Sequence, residues 1–185
     1  MTKTKTKKEK KQIILVVLDG WGHREEKKDN GIANANTPTM DRLIKEYPHT
    51  LLEASGRAVG LPVGQIGNSE VGHTNIGAGT VVFTDLVRIS DSFKTHAFEK
   101  MPAVKKLFAH VLKNKSSLHL IGLIGTGGVH AYGEHLLGTI KAAKAAGIKN
   151  IYIHAFTDGR DTSPQSAAEF LVELENFLKK TNIGI

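Results

Sequence analysis

Four short stretches of this 185-residue chain carry side chains able to do chemistry. The first is Asp19, which directly follows the apolar run Ile13 to Leu18. A carboxylate at the end of a buried strand can bind a hard or borderline divalent metal, although Asp-Gly is also a common turn dipeptide. The second is Ser69, in Gly67-Asn68-Ser69-Glu70-Val71-Gly72-His73. Its G-x-S-x-x-G spacing does not match the nucleophile elbow. A serine here can start a short helix as its N-cap, at a place where backbone N–H groups and the helix dipole favour a phosphate. Its hydroxyl becomes a nucleophile only with a base or a metal beside it, and His73, four residues on, is a helical neighbour able to act as base.

The third stretch, Gly125-Thr126-Gly127-Gly128-Val129-His130, begins like a dinucleotide-binding turn but has His130 where the third glycine belongs. No stretch matches the Walker A phosphate loop. The fourth is Thr157-Asp158-Gly159-Arg160-Asp161-Thr162. Arg160 offers a planar fork for a phosphate or carboxylate and Asp161 can accept a hydroxyl; the alternative is an Asp-Gly turn with a local ion pair. His135 and His154 lack ligand spacing and read as structural or surface residues.

These residues must be held by an alternating strand and helix scaffold. Gln12 to Leu18 is a short β-branched apolar run, the pattern of a strand covered on both faces. Thr37-Pro38 opens a helix, with Thr37 as cap and Pro38 at its first position, and Pro48 ends it. Thr50 to Ala54 reads as a second strand. The glycine-rich stretch 56–79 reads as a loop that brings backbone close to something. Helices are then expected at 84–94, 102–114, 134–146 and 165–180, with strands at 117–124 and 150–156. That alternation argues for a parallel α/β architecture, whose ligands bind beyond the carboxyl ends of the strands.

Composition narrows the class. The chain is 40% hydrophobic and 23% charged with no cysteine, which fits a globular protein and excludes disulfide scaffolds, thiolate metal sites and thiol nucleophiles. The run Ile13 to Leu18 is far short of a membrane span and lacks a secretory cleavage site, so a soluble, cytoplasmic protein is expected. The net charge of +7 is concentrated in residues 1–11, which hold six Lys against one Glu. This segment reads as a disordered, solvated Lys-rich tail, with a weak polyanion-binding arm as the alternative, and no specific nucleic-acid or membrane partner is expected.

Together the stretches LDGWGHREE, NTPTMDRL, YPHTLLEASGRAVGLPVGQIGNSEVGHTNIGAG, GGVHAYGEH and HAFTDGRDTSP resemble the N-terminal part of the 2,3-bisphosphoglycerate-independent phosphoglycerate mutases, in the alkaline phosphatase superfamily. The resemblance covers essentially everything after the Lys-rich tail. It implies an incomplete alkaline-phosphatase-like metal-binding domain over residues 12–83, followed by part of an inserted α/β transferase domain over 84–185. It also implies interconversion of 3-phosphoglycerate and 2-phosphoglycerate in glycolysis, through a phosphoserine at Ser69. Asp19 and Ser69 match metal-binding positions, for two Mn2+ ions in the complete family site, with Mg2+ or another divalent ion as the alternative. His130, Arg160 and Asp161 match substrate-binding positions. Family members are more than twice this long, and the resemblance implies an enzyme that is monomeric when complete; with one carboxylate and one serine oxygen at the matched metal positions, this chain is expected to lack mutase activity by itself. Two local departures stand in the substrate loop: Gly125-Thr126 replaces Ser-Asp, and Ala131-Tyr132 replaces Ser-His. The alternative functions are a metal-dependent phosphohydrolase of the same superfamily and a non-catalytic phosphoglycerate-binding fragment.

Overall fold

The computed structural model describes residues 12–183, so the Lys-rich tail lies outside the described residues. The chain divides after Glu53 into two compact units.

In the first unit, Asn30 organises the polar loop. Its amide donates to the carbonyls of Arg24 (2.8 Å) and Glu26 (2.9 Å), and its Oδ1 accepts from Ala33 N–H, capping the single-turn helix α1 (Gly31–Asn34). Helix α2 (Pro38–Glu46) starts at the expected proline and stops at Tyr47, just before Pro48. Thr37 occupies the N-cap position without capping: its hydroxyl instead donates to Asp41 Oδ1 at 3.0 Å. The strands expected at 12–18 and 50–54 do not form. Ile13 is 92% exposed, and nothing among the described residues pairs with this run. A β-branched run has strand propensity, but a strand exists only when a neighbour satisfies its backbone groups.

The second unit contains the expected α/β texture. Helices α3 (Ser69–Ala78), α4 (Asp85–Lys94), α5 (Pro102–Asn114), α6 (Gly133–Ala145) and α7 (Ala167–Thr181) accompany strands β1 (Leu118–Leu123) and β2 (Ile151–Phe156). The two strands pair in parallel, Leu118 opposite Ile151 through Leu123 opposite Phe156, with α6 as the crossover. Period-two alternation turns Leu118, Leu120, Ile151 and Ile153 toward the core. The opposite face carries His119 and His154, whose ring nitrogens lie 3.0 Å apart, so His154 is a surface residue as expected.

Phe108 and Val111 of α5, Ile140, Ala142 and Ala143 of α6, and Leu174 of α7 close over the inner face of the sheet. Small residues on α6 allow this close packing. Gly138 allows α6 to approach α4 instead, since a methyl group there would meet the Phe93 ring at 2.9 Å. Helix α4 is joined to α6 by a hydrogen bond between Ser90 Oγ and His135 Nε2 at 2.8 Å. Burial pushes the His135 imidazole below the usual histidine range, outweighing the opposing influences of the Leu86 carbonyl and Glu134.

The glycine-rich stretch is more ordered than a plain loop. It holds a single 3-10 turn (Gly56–Val59) and then α3, while its glycines do bring backbone together. Gly60 has φ of 87°, and a methyl group on it would lie 2.1 Å from the Val82 carbonyl oxygen. One on Gly67 would lie 1.9 Å from the Ala54 carbonyl oxygen. No side chain fits at either place.

Two outcomes follow from this packing. Ile140→Ala, at a site with 0% exposure, should lower unfolding free energy by about 2–5 kcal/mol in chemical denaturation, whereas Ile13→Ala should stay within about 0.5 kcal/mol. Because His135 takes up a proton less readily folded than unfolded, stability should fall as pH drops below about 6.5 and level off once pH passes beneath its lowered folded value. His135→Gln should show a shallower acid-side loss in thermal melts, and an unchanged slope would contradict the assignment.

Candidate functional site

Strands β1 and β2 end side by side, so the loops that leave their carboxyl ends are adjacent. The ladder runs one step further, with Ile124 N–H donating to the Phe156 carbonyl at 2.9 Å, before the two chains turn away. In the loop after β2, the Asp158 carboxylate accepts from the backbone N–H groups of Arg160 (2.8 Å) and Asp161 (3.3 Å). The Thr162 hydroxyl donates to the Asp158 carbonyl at 3.1 Å. These bonds, that from Arg160 N–H first, hold the Asp158 carboxyl below the usual carboxylate range. Asp158 thus shapes the loop that displays its neighbours.

The loop after β1 closes on itself. Gly133 N–H donates to the Gly125 carbonyl at 2.8 Å, and Gly128 N–H to the Ala131 carbonyl at 2.9 Å, leaving Val129 and His130 at the tip. Gly125 has φ of 135°, a conformation side chains rarely adopt, and a Cβ there would press on Phe170 and Thr162 at 3.2 Å. A Cβ on Gly127 would lie 2.9 Å from that of Asp161, so glycine lets the two loops touch.

Two of the expected residues meet here. His130 Nε2 lies 3.9 Å from Asp161 Oδ2; the imidazole is 64% exposed and the carboxylate only 15%. Arg160 precedes Asp161 in the same loop and is exposed; the Asp-Gly turn of the alternative reading is present at Asp158-Gly159, while no ion pair of the Arg160 guanidinium is found among the described residues. An imidazole facing a half-buried carboxylate, with an exposed cationic fork one residue before that carboxylate in the loop, offers groups that can bind an anionic molecule and accept a hydroxyl from it.

Ser69 is the first residue of α3, one position later than the expected cap. Asn68 is the N-cap, its Oδ1 accepting from Val71 N–H at 3.1 Å. His73 Nδ1 lies 2.8 Å from the Ser69 carbonyl oxygen, so this ring contact is with the backbone of residue 69. The helix is held by Asn75, whose amide donates to the Val59 carbonyl (3.1 Å) and whose Oδ1 accepts from Val82 N–H (2.8 Å). Arg57 braces the same seat with a two-pronged pair to Asp91 at 2.8 and 3.2 Å, its guanidinium 4.9 Å from the Phe83 ring centroid.

Asp19 belongs to the first unit. It stands in a turn closed by Trp21 N–H to the Leu18 carbonyl at 3.0 Å, with Gly20 at φ 79°. The oxygens of Asp19 and Ser69 suit a hard divalent cation in kind. Among the described residues, however, no group of three or more His, Cys, Asp or Glu gathers to hold one. Either oxygen alone is too few for a tight site, so no chemical step is assigned to an ion here.

Sequence reasoning missed the roles of Asp158 and Ser90. An Asp two residues before a loop cation is a recognisable Asx-turn signal. Ser90 and His135 are 45 residues apart, and no spacing rule joins them.

Comparison with known proteins shows the family. Residues 89–185 match the family model described as BPG-independent PGAM N-terminus. The 2,3-bisphosphoglycerate-independent phosphoglycerate mutase of Trichodesmium erythraeum is 51% identical over 172 residues, 93% of this chain and 32% of the relative. Phosphoglycerate mutase 1 of the same type from Methanosarcina barkeri is 52% identical over 171 residues, covering 92% and 33%. A crystal structure of Leishmania mexicana phosphoglycerate mutase at low cobalt concentration superposes with a TM-score of 0.63 and 36% identity, covering 83% of this chain and 29% of that one. The chain thus spans about a third of the length of the curated relatives it matches. With more than half of its residues inside the family model, the chain belongs to the BPG-independent phosphoglycerate mutase N-terminal family.

Proposed function

We propose that this chain is the N-terminal part of a 2,3-bisphosphoglycerate-independent phosphoglycerate mutase, which interconverts 3-phosphoglycerate and 2-phosphoglycerate in glycolysis. The observation that carries this reading is the approach of His130 to Asp161, which follows Arg160 in its loop, at the carboxyl ends of two paired parallel strands, in a chain about half identical to such mutases. Residues 12–83 form the start of an alkaline-phosphatase-like domain, and residues 84–185, after a crossover near Phe83, part of an inserted phosphotransferase domain. A small phosphorylated acid is the partner, the complete enzyme is monomeric, and its place is the cytoplasm. No helix of the described residues is long and apolar enough to cross a membrane.

Each residue then has a role. Arg160 grips the carboxylate or phosphate of the glycerate, His130 contacts it from the opposite loop, and Asp161 accepts a glycerate hydroxyl. Ser69 Oγ forms a bond to phosphorus as the bond from phosphorus to the C3 oxygen breaks, and the serine proton ends on that oxygen. The C2 hydroxyl later attacks the phosphoserine, its proton returning to Ser69. The start of α3 favours the phosphoryl group's negative charge. Asp19 and Ser69 each match a metal-donor position of the family, for Mn2+, with Mg2+ or another divalent ion as alternative. When bound, such an ion neutralises charge on the phosphoryl oxygens and makes a hydroxyl more acidic.

In the full-length protein, Ser69→Ala should reduce isomerisation in an enolase-coupled assay by roughly three orders of magnitude or more. Undiminished turnover would contradict the phosphoserine, and release of inorganic phosphate without isomerisation would favour a phosphohydrolase. Arg160→Ala should weaken phosphoglycerate binding by about 10- to 100-fold in calorimetry, the equivalent of one lost charge-assisted contact. The 185-residue polypeptide with added Mn2+ should show no turnover, since its described residues offer only two of the donors; robust turnover would overturn this assignment of the metal site.

A further inference from the structure

The hydrogen bond between Ser90 and His135 lies outside the His130, Arg160 and Asp161 cluster, yet it stands at the foot of the loop that carries His130. That loop has two supports. On one side Gly127 rests against Asp161. On the other, Gly128 faces Leu86 of α4, which a methyl group at residue 128 would meet at 3.5 Å. The loop then ends in Tyr132, whose ring stands edge-on to His135 at 5.4 Å and 83°, while His135 N–H donates to the Tyr132 carbonyl at 2.9 Å. Ser90, Leu86, Gly128, Tyr132 and His135 line one cavity of about 690 Å³.

We propose that the Ser90–His135 hydrogen bond is a latch that fixes the His130 loop to helix α4, making Ser90 and His135 positioning residues for substrate binding. The proposal rests on the reading of that loop as part of the phosphoglycerate site.

Two physical features favour it. The bond is half-buried and shielded by Phe93, whose ring centroid lies 6.0 Å from that of His135, so it is stronger than an exposed equivalent and costly to leave half-made. Helix α4 is itself anchored: the N–H and hydroxyl of Thr84 both donate to the Gly60 carbonyl, at 2.9 and 3.1 Å. Val59, beside Gly60, accepts from Asn75 of α3. A continuous set of contacts therefore runs from the helix that begins with Ser69, through α4, to His135 in the first turn of α6, just after the loop that carries His130. The latch ties the phosphoryl-accepting serine and the substrate loop to one rigid element.

The test compares Ser90→Ala with Ser90→Thr in the whole polypeptide, by amide hydrogen exchange and by calorimetric titration with 3-phosphoglycerate. The expected result for Ser90→Ala is about tenfold faster exchange at the Gly128 and Gly133 amides and several-fold weaker binding, with α7 amides unchanged. Ser90→Thr, which keeps the hydroxyl, should restore both. Loop exchange equal to the unsubstituted protein would overturn the latch. So would acceleration spread equally over the loop and α7, because that reports general stability instead of local positioning. If the unsubstituted protein does not bind 3-phosphoglycerate while loop exchange responds as expected, the substrate reading fails and the mechanical latch stands.

Discussion

The arrangement of the candidate site depends on one pairing, the parallel ladder that sets Leu118 against Ile151 and Leu123 against Phe156. Parallel pairing puts both carboxyl ends at the same edge, so the loops that follow must emerge together. A shift of one residue would turn Leu118 and Leu120 outward and His119 inward, exchanging the core for its solvent face. The buried leucines and isoleucines therefore fix the register, and the register fixes the meeting of His130 with Asp161. Packing beneath the sheet is thus a precondition of the chemistry above it.

Glycine sets the second constraint. Gly127 allows the two loops to touch, and Gly60 and Gly67 allow backbone contacts that any side chain would prevent. At Gly125 the backbone conformation itself calls for glycine, which gives a physical reason for the departure from Ser at that position. At the second departure, Tyr132 supplies an aromatic edge to His135.

Much of the second unit was legible in its sequence. Helices α4 to α7 and strands β1 and β2 begin and end within two residues of the expected bounds, because their apolar periodicity and their punctuation by Gly, Asn and Pro agree. The expected strand at 12–18 was not found, because a run such as Ile13 to Leu18 encodes propensity but not a partner. Thr37 carried a capping signal, yet Asp41 competes for its hydroxyl. Arg160 and Asp161 stood out by residue type at a loop position, whereas His130 was singled out as a substrate residue only through the family resemblance. The bond between Ser90 and His135 was not, since it joins two elements whose adjacency exists only after folding. Asp158 lay between these cases: its Asx turn is a local signal, but its purpose emerges only when Asp161 is seen beside His130.

The central claim is that the loops after β1 and β2 together form a binding site for a phosphorylated three-carbon acid. Its most direct test is a titration of the isotope-labelled chain with 3-phosphoglycerate, followed residue by residue in amide NMR spectra. Saturable shifts concentrated in residues 125–133 and 157–162, lost when Arg160 and Asp161 are both replaced, are the predicted result. Shifts absent from these two loops, or equal in the doubly substituted chain, would contradict the account.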